Sequence, residues 1–259
     1  MSFTNPVLVG EVGSSRVSPQ SVYEVATTAA HARGTRGMLS GGRWFEYVRH
    51  DLATAIPKGN LACYDPVVAA VDKIAIQATA AVGTTSIPVT VTITIDANEL
   101  AGSYIGIEKA NGLGETYRII SHASHTSGTL TLEVNRGVVV ELTTSSRATI
   151  YFMANAVKKS AAVAAEAVAI EVAAGVPLVT IPDGSSTVQY SWVQKTGFAI
   201  VLFCGAVGAV GQVIGYGDDV GSFGVSVENE SIAQLPQLGV IVSLLPIDVE
   251  YHGVMLSIA

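Results

Sequence analysis

Charge is scarce in this chain. Asp, Glu, Lys and Arg make up 14% of its 259 residues, where an average soluble domain carries about 25%. So little charge cannot solvate a large free surface, and contiguous exposed apolar patches beyond a few hundred Å² are rare on monomers. The shortage therefore points to apolar surface covered by neighbouring subunits, or to a membrane. Cysteine is nearly absent too: Cys63 and Cys204 are the only two. They stand far apart in apolar surroundings, which predicts buried free thiols rather than a disulfide, and they form no zinc-binding pattern. Clusters of basic residues are missing, and the net charge of −7 argues against a protein that grips phosphate backbones, so no nucleic-acid partner is expected.

Long apolar runs are missing with one exception. Phe198 to Gly215, FAIVLFCGAVGAVGQVIG, is about long enough to cross a bilayer. It contains Gln212 and four glycines, has no adjacent cluster of Lys or Arg, and is followed by Asp218 and Asp219. Two buried strands separated by glycine-rich turns account for it better than a membrane helix, so no membrane partner is expected. The first residues, MSFTNPVLVG, have no basic stretch and no long apolar core. No signal peptide is read there, and synthesis in a cytoplasm is expected.

What the sequence does contain is strand signal. Gly41 and Gly42 separate MLS from RWFEYVR as a hairpin turn would, and in the second run aromatic bulk falls on both faces, predicting a strand covered on both sides. Lys58-Gly59-Asn60 reads as a turn that returns the chain as LACY. In VTVTITI, residues 89 to 95, apolar residues and threonine alternate at period two. IGIEK, ETYRIISH and TLTLEV are separated by Asn111-Gly112 and Ser127-Gly128 and predict an antiparallel meander. Asn155 to Ala174 carries helix propensity, yet its valines favour a strand from about Val168 onward. The fold class expected is all-β: sandwich or barrel domains, with residues 75–153 forming a small inserted β-barrel or sandwich. Residues 1–74 and 154–259 would together form the main domain, preceded by an amino-terminal arm.

Candidates for chemistry are few. His122 and His125 lie three apart in a predicted loop with no Cys or carboxylate at ligand spacing, and read as solvated histidines. NGLGE, residues 111–115, lacks the Lys-Ser/Thr ending of a phosphate loop and reads as a hairpin turn. Asp218, Asp219, Glu228 and Glu230 lack calcium-loop spacing. No catalytic residue, metal site or cofactor is assigned, and a non-enzymatic role is expected.

The stretch GTRGMLSGGRWFEYVRHDLATAIPKGNLACY, with Arg43, Phe45 and Tyr47 in an Arg-x-Phe-x-Tyr strand, resembles the opening of virion structural proteins of tailed bacteriophages. The segments AGSYIGIEKANGLGETYRIISHAS, GTLTLEVNRGVVVELTTSSRATI and GVPLVTIPDGSSTVQYSWVQKTGFAIVL resemble the same proteins. The resemblance implies a capsid decoration or cement protein: a homotrimer on the capsid exterior that binds the major capsid protein and stabilises the shell. Contacts to other subunits or the shell are expected at Phe3, Val7 and Val9 in the arm, at Trp44, Phe45 and Tyr47, and at Trp192. The alternative is a tail, fibre or adhesion protein whose inserted module binds a carbohydrate or receptor, with Tyr104 and Tyr117 as the exposed aromatics. A major shell subunit and a virion-borne glycan hydrolase are the remaining alternatives.

Overall fold

A computed structural model describes residues 7–8, 19–39, 41–50, 52–64, 69–151, 156–160, 171–205, 209–217, 219–225, 237–243 and 249–258. The protein is all-β. In chain order the strands are β1 Val7–Leu8, β2 Arg36–Leu39, β3 Arg43–His50, β4 Ala62–Tyr64, β5 Ile74–Ala75, β6 Ser86–Val91, β7 Tyr104–Lys109, β8 Thr116–Ser121 and β9 Gly128–Val134. They continue as β10 Arg147–Tyr151, β11 Val157–Lys159, β12 Val172–Pro177, β13 Gln189–Phe203, β14 Val213–Tyr216, β15 Phe223–Val225, β16 Gly239–Ile241 and β17 Glu250–Ser257. Among the described residues the only helical piece is a 3-10 turn at Ala69–Val71.

The chain divides into two compact units, Met1–Tyr64 with Ala156–Ala259, and Asp65–Asn155. The first boundary falls ten residues before the expected 74/75, so the Ala69–Val71 turn lies within the insert. Of the segment expected to be helix or strand, both described ends are extended, as β11 and the start of β12. Residues 161–170 lie outside the described residues, as do Asp218, Glu228 and Glu230.

The inserted unit is a six-stranded sheet in the order β5-β10-β7-β8-β9-β6, and an antiparallel bridge between Ile76 and Val89 joins its two ends into a barrel. Period-two alternation builds it. Leu130, Leu132 and Val134 of β9, with Tyr117 and Ile119 of β8, point into one buried core, while the intervening residues face outward. Asn111-Gly112 turns the chain between β7 and β8, Gly112 taking a φ of 83° that favours glycine. The VTVTITI strand sits earlier than its pattern predicts: β6 ends at Val91, and Ile95 makes only an isolated bridge to His125.

The larger unit is organised around the fifteen-residue strand β13. Its first half pairs antiparallel with β3 from Gln189↔His50 to Thr196↔Trp44, and on its other side with β12. β12 pairs β4, β4 pairs β11, and a parallel bridge between Arg49 and Ala156 returns to β3, closing a first ring. The second half pairs with β17, which leads through β16, β14 and β15 back to Phe203 of β13 and closes a second ring. The two rings therefore share one strand.

The strand changes partners at a bulge between Gln194 and Thr196. The Gln194 side-chain amide donates to the carbonyls of Thr196 and Phe198, both at 2.9 Å, and staples the bend. Gly197 has a φ of 87°, and a Cβ there would stand 2.8 Å from Cγ of Arg43. Gly197→Ala is accordingly expected to destabilise the protein by about 1–3 kcal/mol through left-handed backbone strain and crowding. A urea midpoint equal to that of the parent would contradict this account of the bend.

The hairpin at Gly41 and Gly42 forms between β2 and β3 as the sequence predicts, both glycines lying at positive φ. β3 is covered on both sides from Phe45 onward. Phe45 and Tyr47 pack with Val22, Leu39 and Trp192. Glu46, Val48 and His50 lie on the opposite face, level with Val193, Ser191 and Gln189 of β13. The apolar run at Phe198 does form two strands, β13 and β14, and no helix among the described residues is long and apolar enough to cross a membrane. Cys63 and Cys204 are both buried, and neither is in a disulfide.

Candidate interaction surface

The second ring has an inside and an outside that differ in burial but hardly in chemistry. Inward, Ala199, Val201 and Phe203 of β13 meet Val254 and Leu256 of β17 and Ile241 of β16 in one buried cluster. Outward, register places Phe198 opposite Met255 and Leu202 opposite Tyr251, and Val240 lies beside Met255. A solvent-facing antiparallel strand ordinarily carries polar residues on this side. Here no outward residue of β13 beyond the bulge, of β16 or of β17 is charged; the polar ones are Thr196 and Ser257. Phe198 is 49% exposed, Ile200 48%, Tyr251 48% and Met255 42%, and Val240 and Val242 are exposed as well.

These side chains form a continuous surface. Gly253, opposite Ile200, makes room for it: a Cβ there would lie 3.1 Å from the Phe198 ring and 3.6 Å from Val242. The Tyr251 ring lies over Gly59, and its hydroxyl donates to the Lys58 carbonyl at 3.1 Å. That bond anchors the polar end of the ring and leaves an apolar face outward. Together the wall presents on the order of 500 Å² of apolar side chain, within the range of the largest patch a monomer carries.

The residues expected at contacts are placed differently. Phe3 and Val9 lie outside the described residues, and Val7 belongs to β1, which pairs parallel with β2. Trp44 is partly exposed, at 36%. Phe45, Tyr47 and Trp192 are fully buried in the core of their own unit, which corrects their assignment to a subunit or shell contact. Tyr47 donates to Oε1 of Gln20 at 2.5 Å, and the Trp192 indole N–H donates to the Gln20 carbonyl at 3.2 Å. Aromatic bulk on both faces of a strand signals a strand buried on both faces, so these rings complete the fold. The wall was missed because FAIVLF read as a wholly buried strand; period-two alternation places only every other residue of it inside.

Other candidates are structural. His122 is buried, accepting from the Leu100 N–H at Nε2 (2.8 Å) with Nδ1 2.8 Å from the Ala123 carbonyl; it holds a turn in place and is not a solvated loop histidine. Tyr117 is buried under the Arg136 guanidinium, 5.0 Å from its ring centroid, whereas Tyr104 is exposed. Cys63 sits 3.9 Å from the Tyr216 hydroxyl, and burial pushes its thiol far above the ordinary range, which removes it as a nucleophile at neutral pH. Glu46, Tyr64 and Lys195 form a buried polar cluster. Tyr64 donates to Glu46 Oε1, and Lys195 Nζ lies 3.6 Å from Oε2 and 5.5 Å from the Tyr64 ring centroid. Burial lowers the Lys195 pKa, and burial with the Glu46 charge raises that of Tyr64. No group of three or more metal-ligating side chains occurs among the described residues.

His31 packs its ring against Tyr47 and Trp192, with centroids 5.3 and 5.2 Å apart. Burial lowers its pKa from 6.5. A lowered value means the unfolded chain takes up the proton first, so this contribution to stability is complete above pH 6.5 and is lost as pH falls towards the folded-state value. Melting temperatures of the parent between pH 7.5 and 5.0 should therefore decline more steeply than those of His31→Gln. Parallel curves would contradict the assignment.

Fold and surface together define an all-β protein whose distinguishing exterior feature is an uncharged apolar wall. In comparisons with known proteins no family model matches the chain, and no curated protein or solved structure matches it.

Proposed function

We propose that this chain is a non-enzymatic virion structural protein of a tailed bacteriophage, a decoration or cement protein that binds the major capsid protein on the capsid exterior. In this role function is differential binding: subunits that add to a formed shell and bind it better than its dissociated parts stabilise the particle by mass action. The observation that carries the reading is the charge-free outer wall of the second ring. A subunit of an assembly can keep such a surface out of water, and a chain with so little charge has few other means of solvating it. The sequence resemblance supplies the phage and the capsid, and the first residues, which read as no signal peptide, supply the host cytoplasm as the place of synthesis.

The alternative, a tail or adhesion protein with a saccharide-binding insert, is left with Tyr104 alone of its two aromatic candidates, since Tyr117 belongs to the barrel core. The test is co-sedimentation. Purified protein mixed with empty shells that lack it should pellet with them and raise the temperature at which they disassemble. Protein that stays in the supernatant at saturating shell concentration would end the decoration reading.

A further inference from the structure

We infer that the apolar wall of the second ring is covered by the same wall of a second copy of this chain, packed face to face about a two-fold axis. The inference rests on the reading above only in taking the wall as an assembly surface; it holds or fails independently of the shell.

Three observations select this occupant. The wall centres on Phe198, Ile200, Val242, Tyr251 and Met255 and carries no charge. It therefore offers a charged partner nothing to pair with, yet lets two chains of net charge −7 meet without bringing like charges into contact. Its polar atoms are already satisfied where they matter: the backbone of β13 and β17 is paired continuously from Thr196↔Ser257 to Phe203↔Glu250, and the Tyr251 hydroxyl is bonded to Lys58. A partner must then bind by side-chain packing and not by adding a strand, which is how two sheet faces pack on each other. Finally, two copies of a wall on the order of 500 Å² bury about 1,000 Å² together, the lower bound for a specific interface and the range of reversible association. One patch meeting itself is isologous and closes at two subunits. The homotrimer that the sequence resemblance implies would instead need two unlike patches.

Sedimentation velocity of the full chain from about 1 to 200 µM tests this, with Ile200→Lys, Met255→Lys and, as a control, Ile120→Lys on the inserted barrel. Ile120 is equally exposed, so the control carries the same added charge away from the wall. The parent should show a concentration-dependent monomer–dimer equilibrium in the micromolar range. Each wall variant should weaken it at least ~30-fold, as loss of a central contact does, while Ile120→Lys leaves it unchanged. Unchanged melting temperatures of the monomeric variants would confirm that the wall, and not the fold, was altered. A parent that stays monomeric throughout, a trimer, or a dimer indifferent to both wall substitutions would overturn the inference. The shell experiment separates the two readings: a monomer that co-sediments with shells removes only the pairing, and a wall-dependent dimer that ignores shells removes only the decoration role.

Discussion

Trp192→Ala is expected to destabilise the larger unit by about 3–5 kcal/mol, the range for emptying a large aromatic site in a packed core. Trp192 is fully buried on β13, with the Tyr47 centroid 5.0 Å away, His31 at 5.2 Å and its indole N–H bonded to the Gln20 carbonyl. Truncation empties the centre of the cluster formed with Val22, Leu39, Phe45 and Tyr47 and leaves that carbonyl without its indole donor. Since a whole domain is typically stable by only 5–15 kcal/mol, the variant should melt far below the parent. Chemical denaturation followed by tyrosine and tryptophan fluorescence measures the loss. A variant of near-parental stability that fails only in assembly would restore Trp192 to an interface and contradict its placement in the core.

The second large effect is at Glu46. Its carboxylate is almost fully buried and accepts from Tyr64 while standing 3.6 Å from Lys195, whose own side chain is 12% exposed. Removing one member of such a pair leaves the other charge in a low-dielectric site, which costs about 3–5 kcal/mol. Glu46→Ala should therefore destabilise by that amount. The double variant Glu46→Ala with Lys195→Met should recover much of it, because no unpaired charge remains. If the double variant were as unstable as the single one, the loss would come from packing and from the orphaned Tyr64 hydroxyl, and the ion pair would have no special part. Both variants are readable by urea denaturation at neutral pH.

The inserted barrel was the most legible part of the chain. Its strands have one apolar and one polar side, as in TLTLEV, so alternation reports burial directly, and turns such as Asn111-Gly112 mark the boundaries. Aromatic residues on both faces of RWFEYVR correctly predicted a doubly covered strand. They did not reveal what covers it, and the same bulk that suggested contacts with other subunits serves the core. The wall was illegible for a related reason. In FAIVLF both sides of the strand are apolar, so composition cannot tell the buried side from the exposed one; only pairing with β17 in a closed ring separates Phe198 and Ile200 from Ala199 and Val201. Nor does spacing along the chain reveal that the parts of β13 before and after Lys195 belong to different rings. That depends on a bulge and on Gly197, whose left-handed backbone is one of many that glycine can adopt.

Because β13 is a wall of both rings, neither ring owns it. Opening the first ring strips partners from Gln189 to Thr196, which run without a break into the residues that pair with β17, and the reverse is true. Among the described residues the two rings are thus tied through one continuous strand. Mechanical load taken up at one end of β13 is carried along a single covalent backbone to the other, a stiff tie between the two rings.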